Sequence, residues 1–205
     1  MESYITIKSR ASFLFEDRKS RFIAEACPVE NEKEAVTFIE EIKTRYPGAN
    51  HYVYAYVVRE NSITRYTDDR EPQGTAGMPV LECIRKNGIT NAAVVVVRYF
   101  GGTLLGTGGL VHAYSAAALG ALREAEIITY DIYSTYRVEC GYSDYQRLSA
   151  VFEEFGFRTE SSDYSDKIEI IGSLRAEIEN KFEEKLIEIT SGRIKISKKG
   201  EKFDY

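Results

Sequence analysis

Along the first half of the chain, short runs of alternating or continuously apolar residues predict β-strands. The runs are rich in β-branched and aromatic side chains and are bounded by polar residues, glycine or proline, as is typical of strands. The run from Ala92 to Val97 is apolar at every position, which predicts a central strand buried on both faces. The predicted strands cover residues 4–7, 21–27, 51–58, 63–67 and 92–97.

Two apolar stripes with helical spacing lie between these strands. The first follows Asn31, an N-cap residue with Glu34 three positions later, and it ends at Pro47. The second follows the central strand and contains small alanines that allow close packing. Its members are Leu110, Tyr114, Ala117, Ala118, Ala121 and Leu122.

The second half of the chain has the simpler element order βαββαβ. A capping box of Ser143 and Gln146 predicts the start of its first helix, and Gly192 ends the second. This order is typical of the ferredoxin-like fold. We therefore expect an α+β protein with two domains, residues 1–128 and residues 133–205.

The charge of the chain limits the partners that it can bind. The net charge is −5, which argues against a protein that binds nucleic acid over its whole surface, because such binding depends on lysine and arginine. Residues 1–128 contain 15 Lys+Arg and 16 Asp+Glu, whereas the remainder contains 12 and 16. A phosphate contact is therefore expected to be local, and the first domain is favoured.

Cysteine usage and the absence of long apolar runs point to the cytoplasm. Cys27, Cys83 and Cys140 are odd in number and widely spaced, which predicts buried thiols in a reducing compartment rather than disulfides or a zinc site. The N-terminal residues lack the apolar core of a signal peptide, and no apolar run is long enough to span a membrane. We expect a cytoplasmic protein without a membrane partner.

The first candidate site is the glycine-rich segment RYFGGTLLGTGGL, residues 98–110, between the central strand and the second helix. Glycine permits close backbone approach, and amides at a helix N-terminus bind anions, so this turn suits a phosphate or a nucleic-acid backbone. Its spacing matches neither a Walker A loop nor the GxGxxG fingerprint. A tight turn without a ligand is the alternative. The candidate residues are Arg98, Tyr99, Gly101, Gly102, Gly106, Gly108 and Gly109.

The second candidate site is the loop DDREPQGTAGMP, residues 68–79. Its carboxylates have the chemistry to bind magnesium or pair with arginines, but an ordinary solvated loop capped onto a following helix is the favoured interpretation, and no metal site is predicted. We expect this loop to lie beside the turn at residues 101–109. The candidate residues are Asp68, Asp69, Glu71, Gly74, Thr75 and Gly77.

Four sequence blocks resemble the IMPACT family in both composition and order. They are KSRF (19–22), HYVYAY (51–56), DDREPQGTAGMPVL (68–81) and VVVRYFGGTLLGTGGLVHAY (95–114). The resemblance implies an N-terminal α/β sandwich with the fold of a ribosomal-protein domain, followed by a ferredoxin-like domain similar to one in elongation factor G. The chain departs from the usual family pattern at two positions, with Arg70 in place of glycine and His112 in place of lysine or arginine.

Three functional hypotheses follow from these observations. The favoured one is a protein that binds RNA or the ribosome and acts in translation or its regulation. Its basic residues are Lys19, Arg21, Arg65, Arg70 and Arg98, and Tyr99 and Phe100 are available for stacking. The second is a phosphate-binding enzyme of kinase-like fold, against which no nucleophile with a base partner is visible. The third is a protein-interaction regulator. No catalytic residue and no cofactor is predicted.

Overall fold

The computed structural model describes residues 3–205, and the chain divides into two compact units, Tyr4–Thr129 and Tyr130–Tyr205. Each unit has its own hydrophobic core and its own antiparallel strands. The protein is therefore of the α+β class, as expected. Among the described residues, no helix combines the length and the apolar character that crossing a lipid bilayer requires.

The first unit is built around an antiparallel sheet of five strands, β2-β3-β6-β4-β5. A short 3₁₀ turn at Glu60–Ser62 joins the two strands at residues 51–58 and 63–67, which form the predicted hairpin. The elements are β1 (Tyr4–Ile7), β2 (Ala11–Asp17), β3 (Ser20–Pro28), α1 (Glu32–Arg45), β4 (His51–Val58), β5 (Ile63–Thr67), α2 (Gly77–Lys86), β6 (Ala92–Tyr99) and α3 (Gly106–Glu124).

Strand β6 is the centre of this unit and is buried on both faces, which confirms the sequence prediction. Because side chains alternate along a strand, Val94 and Val96 contribute to the core under α2 and α3. Val95 and Val97 contribute to the core on the opposite face, where α1 packs. The sheet is thus covered by helices on both faces, and the C-terminal end of β6 leads directly into the glycine-rich turn.

Helix α1 forms as its sequence predicts. Asn31 is the N-cap, and its side chain accepts a hydrogen bond from Glu34 N at 2.9 Å. The carboxylate of Glu34 accepts from the backbone N–H of Glu30 and from the side-chain amide of Asn31, so its bond to the N-cap residue is made to the side chain of Asn31. Ala35, Phe38, Ile39 and Ile42 make the buried stripe.

The turn between β2 and β3 has an unusual composition for its geometry. Arg18 and Lys19 both have positive φ, 47° and 66°, as in the two central residues of a type I′ hairpin turn. Asn-Gly is the preferred pair in this turn, because glycine and asparagine tolerate left-handed backbone conformations. Two basic side chains are held here in a conformation that costs conformational energy.

Helix α2 was not predicted as a separate element. The sequence pattern assigns residues 68–79 to a loop, but the helix begins at Gly77, inside that range. The apolar stripe of α2 is short, and Pro79 in its first turn resembles a loop residue in sequence although a helix tolerates it there. The loop that precedes it is therefore shorter than expected.

The second unit has the element order βαββαβ, and its sheet order is β8-β9-β7-β10 with antiparallel pairing throughout. This is the ferredoxin-like arrangement. The helices contribute Leu148, Phe152, Phe182 and Leu186 to one core. The elements are β7 (Ile127–Cys140), α4 (Tyr142–Glu154), β8 (Arg158–Tyr164), β9 (Ile168–Arg175), α5 (Glu179–Thr190) and β10 (Lys195–Asp204), with a 3₁₀ turn at Ala176–Ile178.

Two details of this unit differ from the sequence prediction. The prediction of a capping box at Ser143 and Gln146 is wrong. Helix α4 begins at Tyr142, with Gly141 as its N-cap and no side-chain cap, so Ser143 already lies in the first turn. Strands β7 and β10 are longer than their apolar runs, since they pair with each other over polar residues as well. Cys27 and Cys140 are buried free thiols as predicted, whereas Cys83 is half-buried.

Candidate functional site

A pocket of about 450 Å³ opens where the ends of β4 and β6 meet the start of α3. Ligand pockets in proteins have volumes of about 300–1,000 Å³, so the space suits a small molecule or one unit of a polymer. The loop after β5 and the turn before α3 both contribute to its lining, which confirms that these two segments adjoin. The apolar part of the wall consists of Pro72, Phe100, Leu104, Leu105 and Leu110.

The floor of the pocket is a buried ion pair between Glu71 and Arg98. Nη1 of Arg98 donates to Oε1 of Glu71 at 2.5 Å, and the hydroxyl of Tyr114 donates to the same oxygen at 2.7 Å. The side chains of Glu71 and Arg98 are only 4% and 6% exposed. The acidic loop is thereby fastened to the central strand and to α3 by three side chains.

Burial and charge give this floor a distinct electrostatic character. Burial, together with the adjacent Glu71 carboxylate, raises the pKa of Tyr114 well above its ordinary value. The guanidinium of Arg98 lies 5.4 Å from the ring centre of Phe22 and 5.6 Å from that of Phe100. Its Nε is buried and has no hydrogen-bond partner among the described residues. The floor therefore has no net charge but retains an unsatisfied donor.

His51 lies beside this ion pair at the end of β4. Its Nδ1 is 2.7 Å from the carbonyl oxygen of Asp69, and because a carbonyl only accepts, Nδ1 carries the proton. Nε2 of His51 lies 3.7 Å from Oε1 of Glu71. The histidine is thus fixed by the loop and lines the pocket.

Asp68 and Asp69 shape the loop rather than bind a ligand. Asp68 accepts hydrogen bonds from the amides of Gly74, Ala76 and Gly77 at 2.8–3.1 Å, where α2 begins. Asp69 accepts from the amide of Tyr52 at 2.6 Å. No cluster of metal-ligating side chains occurs among residues 3–205. The interpretation of these acids as loop caps is therefore the one that the hydrogen bonds support.

The first turn of α3 presents free backbone amides at the edge of the pocket. Its N-cap residue is Leu105, which provides no side-chain hydrogen bond, and no acidic residue occurs in the turn. Gly106 and Thr107 line the pocket. Because the N-terminus of a helix carries partial positive charge and unpaired N–H groups, this edge favours an anion.

The glycines of the two segments have different structural roles. Gly74, Gly102 and Gly106 have positive φ and serve the turns themselves. A Cβ on Gly101 would collide with the backbone of Lys19 and Ser20 in the β2–β3 hairpin, as one on Gly77 would with the carbonyl of Thr67. Gly109 packs against the Leu105 side chain, and Thr75 donates its hydroxyl to Pro72 O. Gly108 has only open space around it.

Two basic side chains contact the wall of the pocket, and a third basic residue lies next to one of them in the chain. Nη1 of Arg18 donates to Leu104 O at 3.1 Å, and Arg70 lies 3.4 Å from Asn50 O, so both touch the pocket wall. Lys19 is the neighbour of Arg18 in the hairpin that abuts Gly101. Neither Arg18 nor Lys19 forms an ion pair among the described residues, and Arg70 has only an exposed pair with Asp69.

Of the predicted site residues, Glu71, Arg98 and Gly106 line the pocket, whereas Arg21 and Tyr99 lie on the other face of the sheet. Arg21 and Tyr99 face each other across β3 and β6, one position away from Arg98. Successive side chains of a strand point to opposite faces, so these two lie on the α1 side of the sheet. Arg21 pairs with Glu16, and the Tyr99 hydroxyl donates to Pro47 O.

Sequence reasoning also missed several residues that form the site. Tyr114 was counted only in the apolar stripe of α3, and Asn50 and Leu104 were not considered. A tyrosine on a buried helix face needs a hydrogen-bond partner for its hydroxyl, so Tyr114 could have been connected to the one acidic loop nearby. His112 is exposed and packs its ring edge-on against Phe15 at 5.7 Å, outside the site.

Comparison with known proteins places the chain in a family. A profile described as the Impact N-terminal domain matches residues 18–122, which include the whole pocket. The chain belongs to the IMPACT family. A second profile, described as a domain of unknown function (DUF1949), matches residues 138–193.

Relatives of this IMPACT-family protein are similar over nearly its full length. The IMPACT family member YvyE of Bacillus subtilis (strain 168) is 34% identical over 98% of the chain and 93% of its own length. The IMPACT family member YigZ of Escherichia coli (strain K12) is 31% identical over 96% of the chain and 98% of its own length. The Protein IMPACT homolog of Saccharomyces cerevisiae is 32% identical over 52% of the chain and 43% of its own length.

A solved structure supports the same architecture. A crystal structure of a protein described as hypothetical covers 96% of this chain and 97% of its own, with 31% identity and a TM-score of 0.61. The α+β fold is therefore found in an experimental structure of a related sequence.

Proposed function

We propose that this protein binds single-stranded RNA through its N-terminal unit and acts in translation or its regulation. The observation that carries the proposal is the surface around the pocket mouth, where free amides of α3, exposed Phe100 and Leu104, and the basic residues Arg18, Lys19 and Arg70 occur together. Aromatic rings beside basic side chains are the combination that single-stranded nucleic acid requires.

Although the protein has a net negative charge, the basic residues near the pocket support this proposal. Several of the basic residues in the N-terminal unit pair with carboxylates, as Arg10 does with Glu41. Arg18 and Lys19 form no such pair among the described residues, and a free cation near an uncapped helix N-terminus attracts phosphate. The buried ion pair under the pocket indicates that Arg98 supports this surface from below and does not contact the phosphate backbone.

The test is to replace Arg18 and Lys19 by the pair that the turn itself prefers. The double variant Arg18→Asn/Lys19→Gly removes both charges and relieves the left-handed strain, because Asn-Gly is the favoured type I′ pair. We expect a protein of equal or higher thermal stability that binds single-stranded RNA more weakly. Each lost phosphate contact should reduce the slope of log affinity against log salt by about 0.7, so the slope should fall by about 1.4.

A matched control removes two charges elsewhere. Lys33→Gln/Lys43→Gln changes the net charge equally on α1, which covers the opposite face of the sheet. We expect it to retain the wild-type affinity and salt slope. Equal weakening by both double variants would show that only net charge matters and would contradict a local site.

A further inference from the structure

The pocket contains more than a surface for the phosphate backbone. Phe100 is 44% exposed and Leu104 is 81% exposed, although both belong to the same apolar wall. Together with Pro72, Leu105 and Leu110 they form a concave apolar surface large enough for a heteroaromatic ring. Exposed apolar side chains gathered in one cleft are typical of a ligand site.

The floor determines which part of a ligand enters the pocket. Glu71 and Arg98 neutralise each other, so the floor offers no net attraction for a phosphate. It does offer hydrogen-bonding groups in an apolar setting, including the unpartnered Nε of Arg98, whose residue is only 5% exposed. His51 and Asn50 add polar atoms beside it. Such a floor suits the polar edge of an uncharged base.

The edge of the pocket suits the phosphate instead. Gly106 and Thr107 line the pocket at the uncapped start of α3, and Arg18 and Arg70 touch the pocket wall from the surface. Gly108 follows in the same turn, and no atom lies within 4 Å of the position that its Cβ would take. A glycine there leaves the first turn of α3 without a side chain, so a ligand can approach its backbone closely.

We infer that the pocket binds one nucleoside monophosphate unit, with its base between Phe100 and the leucines and its phosphate on the first amides of α3. The inference deepens the proposed function and rests on it for the source of the unit, which is either one nucleotide of an RNA strand or a free nucleotide. A phosphorylated sugar without a base would make no contact with the apolar wall. A free phosphate would make no contact with the polar groups of the floor.

The test is titration of the full chain with AMP, followed through backbone amide resonances. A purine is the probe because its large ring offers the greatest stacking area. We expect the largest shifts at Phe100, Gly106, Thr107 and Gly108, and affinities at least tenfold lower for adenosine, ribose 5-phosphate and inorganic phosphate. Shifts spread over both units without a maximum at the pocket would overturn the inference.

Thr107→Glu separates binding from folding. A carboxylate in the first turn of α3 interacts favourably with the helix dipole, so stability should be maintained or rise, while the same charge occupies the position expected for the phosphate. AMP affinity should fall at least tenfold. Thr37→Glu adds the same charge to α1 on the opposite face and should leave AMP affinity unchanged. Unchanged affinity in Thr107→Glu would overturn the inference.

Competition between AMP and an oligoribonucleotide distinguishes this inference from the proposed function. Displacement of the RNA by AMP supports both. Binding of AMP without any binding of RNA supports the pocket and contradicts the RNA-binding proposal. Binding of RNA that AMP does not displace contradicts the pocket assignment and leaves the RNA-binding proposal intact.

Discussion

Among single residues, Glu71 and Arg98 have the largest expected effect on stability. Removing one member of a buried ion pair leaves the other charge uncompensated, which costs about 3–5 kcal/mol, whereas replacing both by apolar residues is often nearly neutral. Here the carboxylate also accepts the Tyr114 hydroxyl, so a second buried polar group depends on it. The pair therefore holds the loop after β5 against strand β6 and helix α3.

We expect Glu71→Ala and Arg98→Leu each to destabilise the N-terminal unit by about 3–5 kcal/mol. The double variant should cost clearly less than the sum, because neither charge is then left alone. Urea denaturation of the four proteins, followed by the transition of the N-terminal unit, measures this coupling. Additive costs would show that the two side chains do not act as a pair.

Asp144 in the second unit predicts a pH effect on stability. The hydrogen bond from Arg193 holds the pKa of Asp144 below its ordinary value. A carboxyl group with a lowered folded-state pKa stabilises the fold above its unfolded pKa, and this stabilisation is lost as pH falls through the folded value. Asp144→Asn should therefore be less stable than wild type at pH 7.

The difference in stability should shrink progressively below about pH 4, where the unfolded carboxyl is protonated. Chemical denaturation of both proteins across this range tests the expectation. A difference that stays constant with pH would indicate that Asp144→Asn is destabilised for a reason other than loss of the carboxylate charge.

At the scale of elements, the glycine-rich turn gives a graded prediction. Gly101→Ala should destabilise the N-terminal unit strongly, because its Cβ would meet the backbone of the β2–β3 hairpin. Gly102→Ala should cost about 1–2 kcal/mol, the penalty for an L residue in the left-handed region. Gly108→Ala should cost nothing or stabilise α3. Thermal melting of the three variants checks this order, and a Gly108→Ala protein less stable than Gly102→Ala would contradict it.

Elements with a strong local signal could be predicted from the sequence. Helix α1 has its N-cap at Asn31 and a complete apolar stripe, and β6 is apolar at every position, so both follow from local residues alone. Helix α2 and the full length of β7 and β10 could not be predicted in this way. Their formation depends on Asp68 capping from the loop and on pairing between strands that are distant in sequence.

The candidate site was only partly predictable for the same reason. The glycine-rich and acidic segments can be recognised from their composition. The ion pair between Glu71 and Arg98 cannot, because it depends on which face of β6 carries Arg98. Strand alternation alone puts Tyr99 on the face opposite Arg98, whereas the sheet register is needed to place Arg21 on that face as well. The hairpin with Arg18 and Lys19 gave no turn signal, because its residues are atypical of the geometry that they adopt.

For the whole molecule, the charge distribution predicts weak dependence of RNA binding on salt. With Arg18 and Arg70 on the pocket wall and Lys19 next to Arg18 in the hairpin, the slope of log affinity against log salt should be no steeper than about −2, given about 0.7 per phosphate contact on a single strand. Filter binding or fluorescence anisotropy over a range of potassium chloride concentrations gives the slope. A value steeper than about −4 would require a basic surface that the N-terminal unit does not offer.

The most direct test of the central claim is ultraviolet crosslinking of a single-stranded oligoribonucleotide to the full-length chain, with the attached peptides identified by mass spectrometry. We expect crosslinks in the β2–β3 hairpin and in residues 98–108, centred on Phe100, and their loss in Arg18→Asn/Lys19→Gly. Crosslinks confined to residues 130–205, or no salt-sensitive crosslinking at all, would contradict RNA binding at this surface.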